Sequence, residues 1–75
     1  MIFLKDVFID TEFITLGQFL KMTDLISSGG MAKIFLASTK VYVNNELENR
    51  RGRKLYSDYV IEVLGYGKYQ IKNNK

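Results

Sequence analysis

The densest group of charged side chains in the chain is the run Arg50-Arg51-Gly52-Arg53-Lys54, with four cations in five residues. Like charges this close repel one another, so such a run persists most easily when an anion neutralises it. Guanidinium groups pair with phosphate oxygens and also stack on bases, and a glycine lets the backbone approach a phosphate. The run therefore favours nucleic-acid binding, and the alternative is a solvated loop paired with Glu46 and Glu48.

A second candidate for anion binding is Ser27-Ser28-Gly29-Gly30, which precedes a predicted helix. The first N–H groups of a helix lack partners inside it and lie at the positive end of its dipole, so a phosphate can dock there. Lys33, one turn further on, could reach the same phosphate. The alternative, ordinary helix capping by a serine and a tight turn, is the favoured interpretation of these residues.

Tyrosines are the third group with possible chemistry, because an aromatic ring can stack on a nucleic-acid base. Tyr42, Tyr56 and Tyr66 fall at positions that could be exposed, and Tyr56 is favoured because it follows the arginine run. The alternative is that these rings pack against the stems of basic side chains or against a sheet edge.

Residue types needed for catalysis are largely missing from the chain. It has no histidine and no cysteine, which removes the usual general base, the commonest metal ligand, thiolate chemistry and disulfides. The carboxylates form no evident catalytic pair, since Asp6, Asp10 and Glu12 fall in or beside a polar turn. We therefore expect a binding protein rather than an enzyme, with no cofactor, no metal and no small-molecule substrate.

The first half of the chain is predicted to form one strand and two short helices, which position the candidate binding residues. Residues 2–9 are rich in β-branched and aromatic side chains and predict a strand. Thr15 and Gln18 form a capping-box pattern, which predicts a helix over residues 16–24. A second helix is predicted over residues 30–37, with one apolar face formed by Met31, Ile34 and Phe35.

In the second half the apolar period becomes alternating, which indicates strands. Asn44-Asn45 suits a tight hairpin turn, because asparagine tolerates positive φ. Tyr59, Ile61 and Val63 should share one face, Tyr69 and Ile71 should point inward, and residues 73–75 should fray. The predicted strands cover residues 41–43, 46–48, 59–64 and 68–72.

The length, composition and charge distribution of the chain further narrow the class of protein to which it can belong. Seventy-five residues with 47% hydrophobic side chains predict a single domain over residues 1–75, and no apolar run suggests a membrane span or a signal peptide. A cytoplasmic protein is expected. Residues 1–32 hold two basic and four acidic side chains, whereas residues 33–75 hold nine basic and four acidic ones. This asymmetry points to an anionic partner for the second half, and the alternative is a basic surface that merely aids solubility.

The order and spacing of several segments resemble the S-four RNA-binding domain, also called the αL motif, over about residues 14–64. Within this family the chain most resembles the single-domain YaaA-like branch. Two segments carry that resemblance, Gly29-Gly30-Met31-Ala32-Lys33 and Glu48-Asn49-Arg50-Arg51-Gly52-Arg53-Lys54-Leu55. The other matching segments are Leu16-Gly17-Gln18-Phe19-Leu20, Val41-Tyr42-Val43-Asn44-Asn45 and Tyr59-Val60-Ile61-Glu62-Val63.

The resemblance implies an α+β fold, with two short helices packed on a small, mostly antiparallel sheet and an extra N-terminal strand here. It implies binding to structured RNA, ribosomal or transfer RNA, with a possible role in ribosome assembly or translation. By position, it places the RNA face at Ser28, Gly30, Lys33, Asn44, Arg50, Arg51, Arg53 and Lys54.

The chain departs from the family pattern at three places. Many members have Arg-Leu-Asp where this chain has Thr15-Leu16-Gly17. Many have basic residues at the place of Gly29-Gly30. A Pro-Gly-Asp segment that is common in the family is replaced here by Tyr56-Ser57-Asp58. The first two changes move positive charge from the helices toward residues 50–54.

The alternative function is a small adaptor that docks an acidic protein partner.

Overall fold

The computed structural model describes residues 4–74, which form two short helices and seven strands. A single 3₁₀ turn, Gly29–Met31, leads directly into the second helix. Residues 2 and 3 of the first predicted strand and Lys75 of the predicted frayed end lie outside the described residues. The elements are β1 (Leu4–Ile9), β2 (Phe13–Thr15), α1 (Leu16–Met22), α2 (Ala32–Ser38), β3 (Val41–Val43), β4 (Glu46–Leu47), β5 (Lys54–Tyr56), β6 (Val60–Val63) and β7 (Gly67–Asn73).

Five of these strands form the main sheet, in the order β1-β7-β6-β3-β4. The β1–β7 pair is parallel, with Val7 opposite Ile71, and the other pairs are antiparallel. The predicted α+β class, with two short helices against a mostly antiparallel sheet and an extra N-terminal strand, is confirmed.

The core lies between α1, α2 and the inner faces of the strands. The ring of Phe19, fully buried in α1, meets the ring of Tyr69 in β7 edge-on, with 5.2 Å between centroids. The alternating pattern of the last strands is confirmed, because Ile61, Val63 and Ile71 are all completely buried. Asn44 and Asn45 adopt the positive φ values expected of the hairpin turn, 51° and 70°.

The capping box predicted for α1 is present. The Gln18 N–H donates to Thr15 Oγ1 at 3.2 Å, and the Thr15 N–H donates to Gln18 Oε1 at 2.8 Å. The helix ends at Met22, two residues earlier than predicted, because Asp24 takes a positive φ of 62° that a right-handed helix does not allow.

Replacing Thr15 with alanine is expected to lower the free energy of unfolding by about 1 kcal/mol, the usual contribution of a helix N-cap. The measurement is urea denaturation of the Thr15→Ala protein. Ser57→Ala, which truncates an exposed hydroxyl in the turn between β5 and β6, serves as the control. Equal midpoints for the two variants would show that the cap contributes nothing.

The face predicted for the second helix is wrong. Ile34 is 71% exposed and Met31 is 43% exposed, whereas Ala32 and Leu36 are buried. The reason is the 3₁₀ turn before α2: with about three residues per turn it changes the angular position of the residues that follow. The α-helix therefore starts at Ala32 rather than Gly30, and its buried stripe consists of Ala32 and Leu36, four residues apart, with Phe35 half-buried beside them.

A second sheet, made of β2 and β5, was not predicted from the sequence. The two strands pair antiparallel, with Phe13 opposite Tyr56, Ile14 opposite Leu55 and Thr15 opposite Lys54. The predicted basic loop therefore ends inside a strand, at Lys54. Both strands border stronger sequence signals, the α1 capping box at Thr15 and the run of cations that ends at Lys54, so neither was recognised.

The predicted fraying of the C-terminal residues is wrong for Asn73 and Asn74. Asn73 is the last residue of β7, and the Asn74 N–H donates to the Ile9 carbonyl at 3.0 Å. Its side chain also donates to Asp10 Oδ1 at 2.7 Å. Pairing with β1 therefore orders Asn73 and Asn74.

No helix within residues 4–74 is long and apolar enough to cross a membrane.

Candidate nucleic-acid interface

Residues 50–54, here called the basic loop, are bonded to the first turn of α1 through the backbone. The Leu16 N–H donates to the Arg53 carbonyl at 2.8 Å, and the Gly17 N–H donates to the Arg51 carbonyl at 2.9 Å. First-turn N–H groups have no partner inside their own helix. The basic loop satisfies two of them, so these two groups are not available to an external anion.

Gly17 packs directly against the basic loop. A Cβ atom at this position would stand 3.4 Å from the Arg51 carbonyl oxygen and 3.6 Å from the Arg51 Cβ. A methyl group would already be in van der Waals contact, so a longer side chain pointing the same way would push the loop outward. The residue that departs from the family pattern therefore lies at the contact between α1 and the basic loop.

A buried carboxylate, Glu48, organises two of the four cations. It is 6% exposed, and its oxygens accept from Arg50 Nε at 2.9 Å, Arg50 Nη2 at 3.1 Å and Arg53 Nη1 at 2.9 Å. The backbone N–H of Arg50 donates to the same carboxylate at 3.1 Å. The ion pairing suggested from the sequence is thus found for Glu48, whereas Glu46 forms no ion pair within residues 4–74.

The titration of Glu48 reflects these bonds. Hydrogen bonds from the Arg50 side chain lower the pKa of Glu48 from 4.5 to about 2, against the opposing effect of burial. The Arg50 backbone N–H and the Arg53 side chain lower this pKa further. In turn, Glu48 raises the pKa of Arg50. Glu48 is therefore ionised at neutral pH and acts as a fixed anchor for the basic loop.

The positive charge of the basic loop is only partly offset by this anchor. Four cations and one carboxylate within residues 48–54 leave a net charge of +3. The bonds to Glu48 use only part of each guanidinium's five donors, and the Arg50 side chain is 73% exposed. Arg51 and Lys54 are exposed as well. The surface thus offers two anchored cations, Arg50 and Arg53, and two further exposed cations to an anionic partner.

The basic loop forms a ridge between two clefts, and Gly52 lines both. The first cleft has a volume of about 460 Å³ and is lined by Arg50, Gly52, Arg53, Lys54, Tyr56 and Tyr59. The second has a volume of about 350 Å³ and is lined by Thr15, Gly17, Gln18, Lys21, Gly29, Ala32, Arg51 and Gly52.

The clefts bring together some of the residues assigned to the RNA face and not others. Arg50, Arg53 and Lys54 line the first cleft, and Arg51 lines the second. Ser28 and Gly30 flank Gly29, which lines the second cleft. Lys33 is exposed on α2 directly after Ala32, but it lines neither cleft.

Asn44 also lines neither cleft, and the structure gives it a structural role. Its Oδ1 accepts from the Val60 N–H at 3.0 Å, and its own N–H donates to the Val60 carbonyl at 2.8 Å. Asn44 therefore ties the β3–β4 turn to the residue that follows Tyr59 of the first cleft.

The start of the second helix differs from the predicted serine cap. Ser28 occupies the N-cap position of the 3₁₀ turn without a side-chain cap bond, and Ser27 Oγ lies 3.0 Å from Met31 Sδ. A Cβ atom on Gly29 or Gly30 would meet nothing within 4 Å. Both glycines thus face open space, and a phosphate contact there remains a prediction.

Three residues beside the basic loop were not singled out from the sequence: Lys21, Tyr59 and Phe13. Lys21 lies four residues after Gly17 on α1, a spacing that places both on one helix face and could have revealed it. Tyr59 was assigned to the strand core, yet it also lines the first cleft. Phe13 contacts Tyr56 only because β2 pairs with β5, for which there was no local signal.

Of the three tyrosines considered for stacking, only Tyr56 lines a cleft beside the basic loop. Tyr42 lies in β3, opposite Glu62 of β6 and Leu47 of β4. Tyr66 is exposed and its ring lies 5.8 Å from that of Phe35. Any stacking role for tyrosine at this site therefore falls to Tyr56 and its neighbour Tyr59.

Metal ligands do not cluster within residues 4–74: no group of three or more histidine, cysteine, aspartate or glutamate residues there could hold an ion. Every buried side-chain nitrogen or oxygen in the same part of the chain has a hydrogen-bond partner.

Comparison with known proteins gives two matches. Residues 7–72 match the family model described as the S4 domain. Over 65 residues the chain is 62% identical to a protein of Bacillus subtilis (strain 168) named "probable ribosome maturation protein RlbA". That alignment covers 87% of this chain and 92% of the Bacillus protein.

Proposed function

Because the chain belongs to the S4 domain family, we propose that it is a non-catalytic module that binds structured RNA through the basic loop. The Bacillus relative is named as a probable ribosome maturation protein, so the proposed partner is ribosomal RNA in an assembling particle. The proposal concerns binding alone, in keeping with the absence of histidine and cysteine from the chain.

The observation that carries this proposal is the attachment of the basic loop on two sides. The backbone of α1 holds the loop through Leu16 and Gly17, and Glu48 holds two of its side chains. A flexible cationic segment would lose conformational entropy on binding, whereas an ordered one has already lost much of it in folding. The ordered loop therefore favours recognition of a defined phosphate arrangement.

RNA helices expose phosphates and 2′-hydroxyls, while their deep, narrow major groove excludes side chains. Recognition by the basic loop should therefore depend mainly on the shape of the RNA backbone. Arg51 and Lys21 in the second cleft would contact one strand segment, and Ser28, Gly30 and Lys33 would extend that contact along the start of α2. Asn44 would contribute through the turn that it ties to Val60.

The direct test is binding of the purified protein to ribosomal particles before and after nuclease treatment. We expect the protein to sediment with immature subunits and to be released by ribonuclease. Competition with ribosomal RNA fragments should displace it at lower concentrations than competition with transfer RNA. Association that survives complete RNA digestion would instead support docking to an acidic protein.

A further inference from the structure

The ribbon formed by β2 and β5 has one buried face and one open face. Ile14 and Leu55, which are paired, point into the core. Side chains alternate along a strand, so their neighbours Phe13, Lys54 and Tyr56 belong to the opposite face. This small sheet thus presents aromatic rings and a cation on the side away from the core.

A tight turn adds a further ring to this surface. The Tyr59 N–H donates to the Tyr56 carbonyl at 3.1 Å, so the two tyrosines are the first and last residues of a turn. Their ring centroids lie 5.7 Å apart with the planes inclined at 62°, and the Tyr56 ring lies 5.5 Å from that of Phe13. Tyr56 and Tyr59 are each half-buried, which leaves part of each ring accessible from the cleft.

Cations line the same cleft as the two tyrosines. Lys54 Nζ lies 5.0 Å from the centroid of the Phe13 ring, and Glu48 holds the guanidinium groups of Arg50 and Arg53 at the same cleft. The volume of about 460 Å³ lies within the range of roughly 300–1,000 Å³ that is common for small-molecule sites. The cleft therefore offers aromatic rings on one part of its lining and cations on another. A ligand that contacts both combines a flat aromatic group with a negative charge.

We propose that the first cleft binds a single unpaired nucleotide of the RNA, with its base against Tyr56 and Tyr59 and its phosphate against Arg50 and Lys54. This inference rests on the proposed RNA-binding function and adds to it the structure of the RNA that is preferred. Bases inside a continuous helix are stacked on one another, whereas an unpaired base can turn outward onto an aromatic ring. Preferred targets therefore contain a bulge or a loop beside a helix.

The test compares two RNA hairpins whose strands are joined by the same non-nucleotide linker and which differ only in one bulged 2-aminopurine, so that the hairpin without the bulge has no unpaired base. Base–aromatic stacking contributes about 1–3 kcal/mol, which corresponds to roughly 5- to 150-fold in affinity. We expect the protein to bind the bulged hairpin at least about fivefold more tightly than the paired one and to quench the 2-aminopurine fluorescence.

Tyr56→Leu should abolish both the preference and the quenching, so that the two hairpins bind with equal affinity. Tyr56→Phe, which keeps the ring, should retain both. Tyr66→Leu removes an exposed tyrosine away from the cleft and is the matched control. If Tyr56→Leu proves unstable, retention of the preference by Tyr56→Phe and its loss in Tyr59→Leu give the same answer.

The outcomes separate this inference from the proposed function. Equal affinity for the two hairpins, with binding still dependent on Arg51 and Lys54, would overturn the stacking site and leave RNA binding intact. Absence of salt-dependent binding to either hairpin would overturn both. Adenosine monophosphate serves as the probe for a free nucleotide: if it binds the cleft more tightly than the bulged hairpin does, RNA is not the source of the occupant.

Discussion

Replacing Arg51 and Lys54 with alanine is expected to weaken binding to structured RNA by tenfold or more, about 1.4 kcal/mol, near 0.1 M salt. Each phosphate contact releases bound counterions, so the slope of log affinity against log salt should fall by roughly 1.5 when two contacts are lost. The measurement is a fluorescence titration of a ribosomal RNA fragment at several salt concentrations.

Substitution at these two positions keeps the hydrogen bonds that attach the basic loop to α1 and to Glu48. Neither side chain is bonded to Glu48, and alanine at position 51 keeps the backbone carbonyl that accepts from Gly17. The control is Lys5→Ala/Lys40→Ala, which removes the same charge from residues that line neither cleft beside the basic loop. Identical salt slopes for the two double variants would mean that only net charge matters and would remove the basic loop from the interface.

Replacing Glu48 with glutamine is expected to lower the free energy of unfolding by roughly 1–3 kcal/mol at neutral pH. The new amide group would bring donors toward Arg50 and Arg53, which are donors themselves, at a position that is 6% exposed. Urea denaturation of Glu48→Gln measures the loss. Glu46→Gln, which changes an exposed carboxylate two residues earlier in β4, is the matched control and should change stability by much less.

The contribution of Glu48 also sets the direction of a pH dependence. Its pKa is lowered from 4.5 to about 2 in the folded protein, so the folded state holds this carboxylate ionised more strongly than the unfolded chain does. The stabilisation is therefore fully present above pH 4.5 and is lost as the pH falls toward about 2. We expect the stability difference between the wild type and Glu48→Gln to shrink over this interval. A difference that stays constant with pH would show that ion pairing is not its origin.

Much of the fold was accessible from the sequence because several elements carry local signals. The Thr15–Gln18 capping box marked the start of α1, and strict alternation marked β6 and β7. The face of α2 was not accessible, since the 3₁₀ turn at Gly29–Met31 shifts the helical register without an evident signal in the sequence. The β2–β5 pairing joins two very short segments far apart in the chain, and only tertiary packing selects it.

The charges of the candidate interface could be predicted from the sequence, whereas the contacts that hold the basic loop in place could not. The four cations of the basic loop stand next to one another in the sequence, and Glu48 could be suggested as their partner. The hydrogen bonds from Leu16 and Gly17 to the basic loop involve backbone atoms only. No side-chain type in the sequence therefore predicts them. Tyr59 lines the first cleft because the turn from Tyr56 returns toward the sheet, although its position in an alternating strand indicated a core residue.

The most direct test of the basic loop as the RNA-binding surface is amide chemical-shift mapping during titration with a ribosomal RNA fragment. The chain has no proline, so every residue after the first offers a backbone amide as a probe. We predict that the largest shifts occur at residues 50–56 and at Gly17, Lys21 and Gly29 beside them, with little change along β1. Shifts concentrated on β1 and β7, with residues 50–56 unaffected, would contradict the account.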